Sequence, residues 1–287
     1  MAQSRFASRA RAFAKINLSL RVVGTRPDGY HELRTIFQSI GLHDTLTVRS
    51  TSGPFRLTCS DPSCPEDASN LVWRAAEAVW EASKRRGGLR DVAIHIEKRI
   101  PMQAGLGGGS SDAAAAIRLL GARWKVPDDR QRAIGAALGA DVPYFFEGGT
   151  ALGLNRGDQI VPLLERQPAW VVVAVPTFGI STKEAFAWFD RLPRRLRDAP
   201  SAANDLQRAV ERRHPEVGRF TKVLRRQGAE LAAMSGSGSA VFGLFRRRID
   251  ADRAAVALGT RARATVASRV FVTRTIDRER YQRLAAK

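Results

Sequence analysis

PMQAGLGGGSSDAAAAI, residues 101–117, packs four glycines into positions 105–109, follows them with two serines and runs directly into alanines. Glycine lets a backbone turn tightly and approach a ligand, whereas alanine is the best helix former. A glycine turn that opens a helix aims free N–H groups and the positive end of the helix dipole at one spot, which suits an anion. From these residues alone, a tight structural turn or a linker is the alternative. Two familiar phosphate signatures are excluded. A Walker A loop needs a lysine after its last glycine, and none follows here. A dinucleotide fingerprint needs a third glycine where Ser110 stands and an acidic residue where Trp124 and Lys125 stand. What survives is a turn in which Gly107, Gly108 and Gly109 offer N–H groups to phosphate oxygens. Ser110 and Ser111 add hydroxyls or help to hold a metal.

The segments around this loop alternate between strand and helix. Before it, "DVAIHIEKRIP" turns Val92, Ile94 and Ile96 one way, as a strand does; after it, a helix is expected from about Ser111 to Ala122 and another over "DDRQRAIGAALG" to Gly139. Near the start, "AFAKINLSLRVV" puts Ala14, Ile16, Leu18, Leu20 and Val22 on one face and Phe13, Lys15, Asn17, Ser19 and Arg21 on the other, a half-buried strand. Pro27, Asp28 and Gly29 then form a turn, with "LRTIFQSIGL" and "DTLTVRS" as two further strands. A helix over "NLVWRAAEAVWEASKRRGG" stops at Gly87. In the second half, "AWVVVAVP" and "SRVFVTRT" read as strands. "STKEAFAWFDRL" reads as a helix with a Ser181/Glu184 capping box, and more helix follows through 204–228 and around 250–263. Strands and helices mix without a βαβ rhythm, so the fold class is α+β, with a boundary near 160–168.

Composition narrows the function. With 287 residues, 44% hydrophobic and 26% charged, the chain has enough apolar residues for a large core. No apolar run approaches the roughly 18 residues that cross a bilayer. The basic N-terminus has no apolar segment of the secretory kind and resembles a transit peptide only in its Arg/Ser/Ala bias, so a cytoplasmic location is expected. Cys59 and Cys64, with no second pair, read as two loop thiols and not as a zinc site or disulfide. A net charge of +19 raises nucleic acid as a partner, but the basic residues are scattered and no RNA-binding aromatic pattern accompanies them. Only seven of the 47 basic residues are lysines, so a lysine in a suggestive place stands out.

Five motifs together, "AKINL", "RPDGYHEL", "GLGGGSSDAAA", "GADVPYFF" and "MSGSGSAVF", resemble the GHMP kinases across residues 12–245. The resemblance implies a two-domain α+β fold, ribosomal protein S5 domain 2-like over residues 1–165 and ferredoxin-like over 166–287. It implies ATP and Mg²⁺ as cofactors, with the metal ligands unassigned. The partner it implies is a small molecule, a cytidine diphosphate-linked methylerythritol phosphorylated on its 2-hydroxyl on the non-mevalonate route to isoprenoid precursors. Neither nucleic acid nor membrane is expected, and the chain would act as a monomer or weak homodimer. Two positions depart from the pattern: Gln103 and Asn155 stand where glycine is common.

Each residue carried over has a plainer alternative. Lys15 is either a solvated lysine on an edge strand or the cation that activates the substrate hydroxyl, with Asn17 bonding the substrate or a catalytic neighbour. Asp141 either caps a helix turn or accepts the hydroxyl proton. Pro101, Met102, Gln103, Ala104, Gly105, Leu106, Gly107, Gly108, Gly109, Ser110 and Ser111 form the implied ATP loop. Tyr30 would stack on cytosine while His31 reads its edge, with Phe186 as the opposite stacking face or merely one apolar residue of its helix. Lys98 is similar to a lysine that approaches nucleotide or substrate, and Thr182 is a substrate-side candidate. The "MSGSGSA" turn, residues 234–240, would shape the floor. A different acceptor, homoserine or a mevalonate derivative, is disfavoured because neither has a base for "DGYHEL" to hold.

Overall fold

The computed structural model describes residues 7–197, 203–262 and 269–285. Residues 1–6 of the basic N-terminus, Arg263 and Ser268 lie outside them. The first lobe runs β1 (Ala7–Thr25), β2 (His31–Pro54), β3 (Arg56–Cys59), α1 (Leu71–Ala82), β4 (Arg90–Glu97), α2 (Gly108–Trp124), α3 (Asp128–Leu138), α4 (Tyr144–Glu147), β5 (Thr150–Leu154) and β6 (Gln159–Pro162). Its sheet has the order β3-β4-β2-β5-β6, with β1 antiparallel along the other side of β2. The alanines of α2 lie flat against this sheet, where Ala113, Ala116 and Ile117 are fully buried with Leu46, Ile94 and Val79.

The second lobe runs β7 (Trp170–Val175), α5 (Thr182–Asp190), α6 (Arg194–Arg197), α7 (Gln207–Arg213), α8 (Pro215–Arg226), β8 (Leu231–Met234), β9 (Val241–Phe245), α9 (Arg248–Ala262) and β10 (Arg269–Arg274). Its sheet order, β10-β7-β9-β8, is antiparallel throughout and is that of a ferredoxin-like βαββαβ unit. The chain then returns to the first lobe. In α10 (Arg278–Ala285), Tyr281 Oη donates to the Phe145 carbonyl at 2.7 Å, and Gln282 Nε2 donates to the carbonyls of Phe146 and Glu147.

Four local expectations are corrected. The two strands expected after the first turn are one, β2, because a bulge near Ala14 lets residues 31–49 stay paired with β1 past Gly41. The first helix ends at Ala82, before Gly87, where Lys84 adopts φ +57°. The helix after the glycine loop begins at Gly108, three residues early, because Gly108 and Gly109 are themselves helical. Cys59 ends a strand, and Cys64 is buried with its thiol pushed up to about 12, chiefly by that burial.

β1 is buried on both faces, not one. Ala14, Ile16 and Leu18 pack against Val171, Val173, Phe242 and Leu244 of the second lobe's sheet, while Lys15 and Asn17 turn into the cleft between the lobes. Register irregularities fall between Phe13 and Lys15 and between Asn17 and Ser19, the kind of local kink that re-aims side chains beside a site.

Candidate active site

Between the lobes lies a cleft of about 1240 Å³. All the expected site residues line it except Ser111, which is buried one layer behind. The glycine loop forms one wall. Helix α2 starts with no side-chain cap, and its first side-by-side bond is Ser111 N–H to the Gly107 carbonyl, so the N–H groups ahead of it have no helical partner. Gly105 and Gly107 hold φ of +73° and +71°. A methyl group on Gly105 would stand 2.1 Å from the Ser235 carbonyl, and one on Gly107 would stand 2.7 Å from the Phe145 ring. Glycine is required at both by close approach as well as by dihedral angle.

Backbone bonds stitch this loop to its surroundings. Lys15 N–H donates to the Leu106 carbonyl, Ala240 N–H to Ala104 and Ile180 N–H to Gln103. Ser235 Oγ donates to the Gly105 carbonyl at 2.9 Å, and Asn204 Nδ2 donates to the Met234 and Gly236 carbonyls. The turn before β9 is therefore fastened to the glycine loop on one side and to Asn204 on the other.

Lys15 is 3% exposed, which removes the solvated alternative. Its Nζ donates to Asn17 Oδ1 at 2.7 Å and lies 3.3 Å from Asp141 Oδ2. Asn17 Nδ2 in turn donates to Thr35 Oγ1, whose hydroxyl donates to the Ser19 carbonyl, so Asn17 serves to aim the ammonium. Asp141 caps no helix: Pro143 holds that position of α4, with no side-chain cap bond. The carboxylate instead faces the cleft, about one-third exposed.

At the other end, His31 and Phe186 stack with ring centroids 4.6 Å apart, and His31 Nε2 lies 2.8 Å from Asp190 Oδ1. One face of Phe186 is thus occupied by His31. Tyr30 is 58% exposed and lies under the Arg156 guanidinium, 5.3 Å from its ring centre. Thr182 Oγ1 lies 3.3 Å from Ser237 Oγ, linking α5 to the glycine-serine turn.

Lys98 lines the cleft beside the glycine loop, where a methyl group on Gly108 would stand 3.1 Å from its Nζ, and two carboxylates hold it there. Its ammonium is 2.6 Å from Asp44 Oδ2 and 2.7 Å from Asp112 Oδ2, and all three side chains are buried. Asp44 Oδ1 also accepts from the Arg99 and Ile100 N–H groups. Burial alone pulls the Lys98 ammonium down, but the two carboxylates outweigh it and raise its pKa. For Asp112, burial wins over the pull of Lys98 and the carboxyl rises to about 7. Sequence reasoning missed Asp44 and Asp190, since nothing local in "GLHDTL" or "WFDRL" marks them, and passed over Asp112 although it stands inside "GLGGGSSDAAA".

Among the described residues, no three His, Cys, Asp or Glu side chains gather as a metal site. Ser111 Oγ and Asp112 Oδ1 are buried without a partner at the loop's helix start. That donor set fits a hard cation carried in on phosphates, as Mg²⁺ usually is.

Residues 70–149 match the GHMP kinases N terminal domain and residues 187–264 the GHMP kinases C terminal. A 4-diphosphocytidyl-2-C-methyl-D-erythritol kinase of Solibacter usitatus is 42% identical over 87% of this chain and 84% of its own length. One of Pseudomonas entomophila is 41% identical over 84% and 85%. A crystal structure of 4-(cytidine 5'-diphospho)-2C-methyl-D-erythritol kinase superposes with a TM-score of 0.76 at 36% identity, covering 93% of this chain and 99% of that one. Homoserine kinase from Cytophaga hutchinsonii shares the fold, with a TM-score of 0.72 at 17% identity over 95% and 96% of the two chains.

Proposed function

The chain belongs to the GHMP kinase family, and on that premise we propose that its cleft transfers the terminal phosphoryl group of ATP to the 2-hydroxyl of 4-diphosphocytidyl-2-C-methyl-D-erythritol, giving the 2-phosphate and ADP. The observation that carries the chemistry is the Lys15–Asp141 pair, 3.3 Å apart in the cleft walled by the uncapped start of α2. The relatives named above support the acceptor. Phosphoryl transfer asks mainly for positioning and charge stabilisation. Within the loop of residues 101–111, Gly107, Gly108 and Gly109 hold the ATP phosphates on backbone N–H groups, Asp141 accepts the proton of the 2-hydroxyl as the hydroxyl oxygen attacks phosphorus, and Lys15 offsets the charge that gathers between them. Asn17 keeps Lys15 aimed. Tyr30, His31 and Phe186 hold the cytosine, and Thr182 lies on the substrate side. Mg²⁺, bound with the nucleotide near Ser111, would neutralise phosphate charge. The free thiols of Cys59 and Cys64 fit the reducing cytoplasm, where we place the reaction.

An ATP-coupled assay over the cytidine compound, homoserine and mevalonate tests the proposal. Turnover of the cytidine compound alone is expected. Turnover of homoserine without it would overturn the acceptor.

A further inference from the structure

The cleft selects lysine. Among the described residues three lysines line it, Lys15, Lys98 and Lys183, against a single arginine, Arg156, in a chain where lysines are seven of the 47 basic residues. Two of the three are committed, Lys15 to Asn17 and Asp141, Lys98 to Asp44 and Asp112. Arg156 is held by Asp158 at 2.8 Å. Lys183 makes no ion pair among the described residues and is exposed.

Its position is set by α5. Lys183, Phe186, Ala187 and Asp190 all line the cleft, at helical spacings of three, four and seven, so one face of α5 looks into it. That face runs from the His31–Phe186 stack, through Lys183, to Thr182, which touches Ser237. Next to Ser237 is Gly236, where a methyl group would stand 3.2 Å from Lys15 Nζ. The cleft therefore presents, in spatial order, an aromatic stack, a free ammonium and the Lys15–Asp141 pair. The acceptor in the functional reading has the same order of groups: base, diphosphate, polyol.

We propose that Lys183 binds the diphosphate of the cytidine-linked substrate and so sets the reach between the held base and the reacting hydroxyl. This rests on the acceptor assigned above. An ammonium on a flexible stem suits a diphosphate that must slide into place, since it binds phosphate as a point charge without the fixed fork of arginine. Its place near the start of α5 adds the favourable end of the helix dipole.

Calorimetric binding of cytidine and of cytidine diphosphate to the unaltered chain, Lys183→Met and Lys183→Arg tests this, together with KM for each substrate. The methionine variant should lose about tenfold in affinity for cytidine diphosphate, and its KM for the cytidine substrate should rise about tenfold. Its affinity for cytidine and its KM for ATP should stay unchanged, and the arginine variant should recover most of the loss. Unchanged cytidine diphosphate binding in Lys183→Met, or an effect on ATP alone, overturns the proposal while leaving the functional reading intact. Failure of the unaltered chain to bind cytidine compounds overturns both.

Discussion

Replacing Lys98 by methionine leaves the Asp44 and Asp112 carboxylates facing one another with no cation between them. All three side chains are at most 3% exposed, so water cannot replace the ammonium. Removing one partner from a buried ion pair costs about 3–5 kcal/mol, and methionine keeps most of the stem's volume. For a chain of this size that is a fall in Tm of roughly 6–20 °C. Asp112→Asn makes the opposite change. It removes the carboxylate in excess of the single cation and keeps an amide oxygen to accept from Lys98, so its stability should stay within about 1 kcal/mol of the parent at neutral pH. The two variants also differ with pH. Folded Asp112 keeps its proton up to about 7, whereas an unfolded aspartate releases it near about 3.9. The folded state binds more protons in that interval, so stability present at low pH falls as pH rises through about 7. Urea titrations at acid and at neutral pH should show this slope in the parent and not in Asp112→Asn. A loss below about 1 kcal/mol in Lys98→Met, with a raised KM for ATP or for the acceptor, would refute the reasoning and return the ammonium to a ligand.

Asp141→Asn should lower kcat by at least ~10²-fold with nucleotide affinity nearly intact, because the carboxylate is the proposed proton acceptor; an equal kcat in a steady-state assay contradicts the role. Its effect on stability should be under about 1 kcal/mol, since the pair with Lys15 is partly open to solvent. Phe186→Ala removes the ring on which His31 stacks and should raise KM for the cytidine substrate roughly tenfold while leaving KM for ATP alone; equal shifts in both would mean general damage to the cleft. Gly105→Ala should cost at least about 2 kcal/mol and abolish the thermal shift that ATP produces, because the added methyl meets the Ser235 backbone 2.1 Å away at φ +73°. An unchanged melting curve contradicts that seat.

The glycine turn that opens α2 was legible because its signal is local: glycines, hydroxyls and a helix former are adjacent in the chain. The partnership of Lys15 with Asp141 was not, since residues 126 positions apart meet only through the fold, and only the family resemblance joined them. Lys98 shows another limit: its place beside the glycine loop was legible, but its ion pairs with Asp44, from a strand far upstream, and with Asp112 were not. The two departures from family glycines have a backbone explanation. Gln103 and Asn155 adopt φ of +51° and +58°, positions where glycine is the easy choice; asparagine tolerates this region readily, and glutamine does so less readily. The burial of both faces of β1 was illegible because alternation describes one sheet and cannot report a second sheet packed on top.

The return of α10 to the first lobe gives the active site a schedule. Its tyrosine and glutamine hold the carbonyls of α4, the short helix just after Asp141. Tyr281 follows its partner Phe145 by 136 residues, so at ~5–20 residues per second roughly 7–27 s of synthesis separate the segment from its brace. Until then the aspartate segment is made but not clamped. A nascent chain therefore carries the glycine loop and both members of the Lys15–Asp141 pair well before it has a braced cleft, and its kinase activity should arise only after α10 has been made and has docked.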